Sequence, residues 1–225
     1  MSEIGNKRGE KGPSIADRLS VSITAGRFTP GQRLVEAELT AELGSSRGPV
    51  REALRKLEAD GLVELVPNRG AIVRRLSLRE AIELFEIRTE LEALAARKAA
   101  ENMADACVRD RFERETAAIW REDSRRSTAS YIAENQSFHS AIFSASLNGQ
   151  LCLLNHRLQL SLIMAQIAPA LTADTILNSL TEHRGIATAI LDRDPRSAET
   201  FSRAHMCRAI DVVRSMPPLL FRQQG

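Results

Sequence analysis

Three of the four histidines in this chain are spaced so that they could do chemistry together. His139 follows Asn135 by four residues, so on a helix both side chains point the same way. His183 and His205 fall inside two later stretches of helical periodicity. Three helices facing a common core could bring one amide oxygen and three imidazoles together, and bundle cores are where metal sites of this kind are built. Three imidazoles suit Zn, Ni, Cu or Fe(II) and leave positions for water or an anionic ligand. Ordinary core or surface histidines would show the same spacing, and spacing alone does not separate the two readings.

A second pattern runs from Leu39 to Gly61, LTAELGSSRGPVREALRKLEADG. Leu39 and Leu43 share one face of a short helix, and Gly44 ends it in the left-handed region. Ser45 or Ser46 can cap the next helix, with Pro49 in its first turn, where a missing N–H is tolerated. Val50, Ala53, Leu54 and Leu57 repeat at helical spacing and form a packing face. Arg47 and Arg51 project from the start of that helix on another face. Two helices joined by a glycine turn, with arginines at the N-terminal end of the second, form a helix-turn-helix that reads DNA. A plain helical hairpin with solvated arginines is the alternative.

The elements that must position these residues are mostly helical. The chain has 225 residues, enough for one large domain or two modest ones. Aromatic residues make up only 4%, while Ala, Leu, Glu and Arg abound, a composition that favours helix. No apolar run approaches the roughly 18 residues of a membrane span, and the polar N-terminus lacks a signal peptide's apolar core. Cys107, Cys152 and Cys207 are odd in number and far apart, which argues against a disulfide framework and for a cytoplasmic protein. Net charge is +2, but residues 1–75 hold 13 Lys+Arg against 10 Asp+Glu. The basic excess lies in the N-terminal part, where a nucleic-acid partner would need it.

In order, residues 1–12 read as a disordered leader and 13–75 as a winged helix-turn-helix. Ser14 starts a helix with Asp17 placed for a capping box, and Gly26 closes it. The helix pair follows. After Gly61 the period changes to short apolar runs either side of Pro67-Asn68-Arg69-Gly70, a β-hairpin wing. Arg69 at its tip could reach phosphates or remain a solvated turn residue. From Ser77-Leu78-Arg79-Glu80, a capping box, residues 76–217 read as an all-α antiparallel bundle of six helices, or seven. Their approximate spans are 78–100, 105–121, 128–145, 151–167, 172–191 and 195–216, the last opened by Asp194-Pro195. Residues 218–225 read as a tail.

The run GRFTPGQRLVEAELTAELGSSRGPVREALRKLEADGLVELVPNRGAIV closely resembles the DNA-binding domain of GntR-superfamily transcriptional regulators. Its SR-x-PVREAL-x-x-LE core, followed by DGL and NRG, is a specific signature. By position the resemblance implies DNA contacts from Ser46, Arg47, Gly48 and Arg51, and from Asn68, Arg69 and Gly70 in the wing. Many relatives carry Thr where this chain has Gly48 and a basic residue where it has Ala37, so their operator does not transfer. The helical module is similar to the FCD effector domain of the FadR-type branch, through residues 86–100, 135–151, 182–190 and Ala204-His205. The resemblance implies a divalent transition metal, Zn or Ni, held by Asn135, His139, His183 and His205. Asn replaces the more usual Asp, which lowers metal affinity and favours an anionic effector. His156 matches no ligand position. Arg88 matches an arginine that faces the effector pocket in similar domains, with an i,i+4 pair to Glu92 as its plain alternative.

Together these readings imply a cytoplasmic homodimer on a palindromic double-stranded operator, most often a repressor, controlled by a small carboxylate. A metalloenzyme tethered by its N-terminal module is the rival, since a three-His site with an open position can activate water. Against it, Glu134 and Glu182 adjoin the ligands but are expected to point away, leaving no general base. A regulator with a vestigial, metal-free site is the third possibility.

Overall fold

The computed structural model describes residues 13–24, 26–67, 69–121, 127–158 and 160–223. The expected leader and Asn68 lie outside the described residues, as does the side chain of His156. The chain divides into two compact units, Met1–Arg74 and Arg75–Gly225.

In the first unit, α1 (Ile15–Thr24) buries Ala16, Leu19 and Ile23. Its start carries the expected box: Asp17 N–H donates to Ser14 Oγ at 3.2 Å, and Ser14 N–H donates to Asp17 Oδ2 at 3.1 Å. A two-residue strand β1 (Arg33–Leu34) precedes α2 (Glu36–Leu43) and α3 (Arg47–Ala59). Gly44 between the helices has φ 61° and ψ 34°, a left-handed conformation that a side chain would strain. Ser46 occupies the N-cap of α3 with extended backbone, but its hydroxyl makes no cap bond. Val50, Ala53, Leu54 and Leu57 are all buried, as the spacing predicts. The wing is β2 (Val63–Val66) paired antiparallel with β3 (Gly70–Val73), Leu65 opposite Ala71. The far edge of β3 pairs with β1, so the sheet has three strands in the order β1-β3-β2. The short extended piece after Thr29-Pro30-Gly31 thus becomes a third strand.

The second unit contains seven described α-helices: α4 (Leu78–Asn102), α5 (Ala106–Thr116), α6 (Thr128–Ala145), α7 (Gly149–Arg157), α8 (Leu160–Ile167), α9 (Ala173–Leu191) and α10 (Pro195–Ser215). Over the helix expected at 151–167 the described residues form two helices, α7 ending at Arg157 and α8 beginning at Leu160, with no glycine or proline between them. The helix expected over 105–121 ends at Thr116 and continues as a 3-10 turn, Ala117–Trp120. The start of α4 has both bonds of the Ser77–Glu80 capping box.

Of the apolar stripe that helical spacing gives α4 (Ile82, Phe85, Leu91, Leu94 and Ala95), Phe85 and Ala95 are buried and Ile82, Leu91 and Leu94 are half-buried. The buried face carries Ala81, Phe85, Ala95, Ala96, Ala99 and Ala100, and with them Arg88, Thr89 and Glu92. Alanine lets helices approach closely, and α4 packs chiefly along α10 and α6. The core it joins includes Phe138, Ile142, Ile186 and Ala198. Gln166 on α8 clamps the backbone of Leu76: Leu76 N–H donates to its Oε1, and its Nε2 donates to Leu76 C=O, both at 2.9 Å. The expected tail packs back as well, with Phe221 buried and Arg75 donating to the carbonyls of Leu219 and Leu220.

Candidate functional site

In the second unit the three histidines meet. His139 comes from α6, His183 from α9 and His205 from α10, and each is buried. One ring nitrogen from each lies within 4.8 Å of the others. The ring centroids are 5.1 Å apart for His139–His183, 5.4 Å for His139–His205 and 4.7 Å for His183–His205. Phe138 stacks on His183 at 4.2 Å and closes one side. Burial lowers the pKa of His139, and drives that of His183 well below the usual imidazole value. Neutral imidazoles, with lone pairs free, are the form that binds a cation.

Carboxylates hold two of these rings. His205 Nδ1 lies 2.6 Å from Glu182 Oε2, a pairing that directs the Nδ1 proton at the carboxylate and leaves Nε2 as the atom able to ligate. That Nε2 is 3.3 Å from His183 Nε2. His139 Nδ1 sits 2.9 Å from Glu92 Oε1 but off the line that a ring N–H needs, so the contact is electrostatic. Glu92 itself takes Arg88 Nη2 at 2.5 Å. Burial alone would raise the Glu92 carboxyl; His139 and Arg88 oppose this and hold it at about 2. Arg208 donates through Nε and Nη2 to both oxygens of Glu182.

These contacts correct two expectations. Glu182 does not point away from the ligands; the pairing of α9 with α10 turns it onto His205. A second carboxylate, Glu92, reaches His139 from α4. Both are held by arginines as well as histidines, so they orient rings rather than stand free as a general base.

Asn135 is buried, and its Oδ1 accepts from Tyr131 Oη at 3.4 Å. Tyr131 Oη also donates to Ser179 Oγ at 2.8 Å, and Ser179 Oγ lies 3.4 Å from His183 Nε2. Tyr131, for which the sequence suggested no role, therefore ties the amide to the histidines. A cavity of about 50 Å³ opens beside them, lined by Asn135, His139, His205, Tyr131 and Arg208 and by apolar residues from α4, α8 and α10. Arg88 is not among the lining residues; it lies buried behind His139 on Glu92. Arg208 was missed, though it stands one helical turn beyond His205.

The donor set fits a divalent transition metal. The cluster comprises buried imidazoles within reach of one another, an amide oxygen on the same cavity, and His183 Nδ1 and His139 Nδ1 without hydrogen-bond partners in the interior. Such orphaned atoms are costly in a site built only for packing.

In the first unit, Ser46, Arg47, Gly48 and Arg51 are exposed along the start of α3. Arg47, Arg69 and Gly70 line one recess together with Ala37 and Arg33, an arginine sequence reasoning missed. Arg51 Nε donates to Glu36 Oε2 at 2.8 Å. The recess joins the second helix of the pair to the wing and gathers Arg33, Arg47 and Arg69 around Glu36, an arrangement of arginines suited to phosphates and base edges.

Family models match both units: "Bacterial regulatory proteins, gntR family" over residues 12–73, and "FCD domain" over residues 83–208. The chain belongs to the GntR family of bacterial regulatory proteins. It is a transcriptional regulator, not an enzyme. This GntR regulator is 32% identical over 187 residues to the "Probable D-xylose utilization operon transcriptional repressor" of Paenarthrobacter nicotinovorans, covering 82% of this chain and 80% of that protein. It is 27% identical to the HTH-type transcriptional repressor GlaR of Escherichia coli K12, covering 87% and 92%. A solved GntR protein from Rhodococcus sp. RHA1 has the same fold, with a TM-score of 0.75 at 23% identity over 90% of this chain and 97% of that one. No helix among the described residues is long and apolar enough to cross a membrane.

Proposed function

We propose that this regulator is a repressor that binds a palindromic DNA site as a homodimer and is controlled by a small carboxylate in its helical unit. The observation that carries the reading is a buried three-histidine cluster opening on a cavity, in a chain whose other unit is a winged helix with exposed arginines. The repressor names of two relatives support the direction of control. Arg47 and Arg51 contact base edges, with Ser46 and Gly48 beside them at the DNA backbone. Asn68, Arg69 and Gly70 carry the wing contacts. Bacterial DNA lies in the cytoplasm, and the regulator acts there.

His139, His183, His205 and Asn135 hold the divalent metal, Zn or Ni. When bound, it supplies a Lewis acid for the effector's carboxylate. Glu182 holds His205 in the ligating tautomer, and Arg88 supports His139 from behind through Glu92. Of the two arginines, Arg208 takes the direct effector contact, because it lines the cavity and has N–H groups left over from its pairing with Glu182. The effector controls transcription through different affinities for the DNA-competent and DNA-incompetent arrangements.

A gel-shift assay at low salt, with DNA from the gene's own promoter region, tests the output. Retardation is expected, and Arg47→Ala and Arg51→Ala should each weaken it by about 1–3 kcal/mol. No retardation, or two variants that bind like the parent, sinks the assignment. Elemental analysis tests the input: metal should copurify with the parent and be lost from a His139→Ala/His183→Ala double variant. Equal metal in both would place it elsewhere.

A further inference from the structure

The recess between α3 and the wing holds one acid among its arginines. Glu36 is the one Asp or Glu lining it, beside Arg33, Arg47 and Arg69. A carboxylate on a surface that meets phosphates lowers affinity, since like charges repel. The chain on its N-terminal side fixes where it stands. Leu34 is buried and pairs with Ala71 of the wing, and Val35 is the extended N-cap of α2. Glu36 is thus the first residue of α2, where a negative charge complements the helix dipole. A purely structural acid would need no more than that.

Glu36 has a further partner. Its Oε2 accepts from Arg51 Nε at 2.8 Å, joining α3 to the start of α2. Glu36 is half-buried and Arg51 is exposed. No ion pair engages Arg33, Arg47 or Arg69 among the described residues. Of the three arginines that α3 and the wing would bring to DNA, Arg51 is the one already held in the free protein.

A guanidinium carries five N–H donors in a rigid fork. With Nε committed to Glu36, the four on Nη1 and Nη2 remain, enough for a bidentate contact with a guanine edge. An arginine free to swing would reach any phosphate within its length, and such contacts carry no sequence information. Holding the side chain also removes rotamers that binding would otherwise freeze.

We propose that Glu36 is a positioning residue for sequence reading: it holds Arg51 by Nε, so that the guanidinium meets base edges and is kept from serving as a general phosphate ligand. The carboxylate lowers affinity for DNA at large and raises the preference for the right site. The inference rests on the reading of Arg51 as a base contact.

Fluorescence anisotropy of the full-length protein tests it on two duplexes over a range of salt. One is DNA from the gene's own promoter region, the other a scrambled duplex of the same length and composition. Glu36→Ala should cut the promoter-to-scrambled affinity ratio by about tenfold, within what one bidentate base contact gives. Its binding to the scrambled duplex should tighten, and the log–log salt slope there should steepen by about one, as Arg51 takes up a phosphate. Glu36→Gln keeps an acceptor for the Nε–H and should recover part of the ratio. In an Arg51→Ala background, Glu36→Ala should leave the ratio where Arg51→Ala put it. The exposed pair adds little to stability, and circular dichroism checks the fold of each variant.

A parental ratio in Glu36→Ala overturns the inference. So does a further drop of the same size in the Arg51→Ala background, which would make Glu36 act without Arg51. A Gln variant that recovers nothing overturns it as well, since the Nε bond would then not be what positions Arg51. If Arg51→Ala itself keeps the parental ratio, the reading of Arg51 as a base contact falls and takes the inference with it.

Discussion

Arg88 and Glu92 stand four residues apart on α4, and their side chains are 4% and 0% exposed. On a surface such a pair adds about 0.2–0.5 kcal/mol, which is what the sequence alone suggests. In the interior the arithmetic changes, because removing one partner strands a charge with no water around it. Arg88→Met should therefore cost about 3–5 kcal/mol in urea denaturation, and Arg88→Met/Glu92→Gln should recover much of that loss. A single variant as stable as the parent would mean that the pair is not the buried unit described. Gly48 sits in the first turn of α3 with open space where a Cβ would stand. Gly48→Ala should raise stability by about 0.4–1 kcal/mol by restricting the unfolded chain; a loss of stability would show that this backbone needs glycine. At this scale the histidines, Asn135 and the paired arginines were legible from spacing and resemblance. Glu92, Glu182 and Arg208 were not fully so, because each acts on a residue of another helix.

Helix boundaries were written locally, in caps and breakers. Ser14 with Asp17, Ser77 with Glu80, and Asp194 before Pro195 each stand where a helix begins. Asp194 offers a pH test of that statement. Hydrogen bonds from Ser197 lower its carboxyl below the ordinary 3.8, so the folded state prefers the charged cap. Its contribution is complete above pH 3.8 and is lost as the pH falls below that value. Asp194→Ala should melt at a lower temperature than the parent at neutral pH, and the two melting curves should converge in acid below that point. A gap that keeps its full width there would assign the loss to something other than the charged cap. The end of α7 at Arg157 and the 3-10 ending of α5 carry no such local marker. Packing against the rest of the bundle decided them.

For the molecule as a whole, the proposed dimeric recognition of a palindrome sets a spacing rule. Two copies reading one face of DNA need half-sites about one helical turn apart. Inserting about five base pairs between the half-sites should abolish tight retardation, and inserting about ten should restore much of it. Equal retardation of all three DNAs would argue for independent single copies. By itself the sequence determined the order of elements, the winged helix followed by a helical bundle, the apolar faces of α1 and α3, and the set of candidate ligands. Those properties follow from periodicity, caps and residue type, which act within a few positions along the chain. Only the tertiary structure decided that further alanines of α4, with Arg88, Thr89 and Glu92, are buried beside Phe85 and Ala95, while Ile82, Leu91 and Leu94 are half-buried. Pairing α9 with α10 placed Glu182 and Arg208 beside His205, and α4 against α6 placed Glu92 beside His139. Those placements depend on which helix faces which, and that is settled by close packing summed over the bundle rather than by any short stretch of residues.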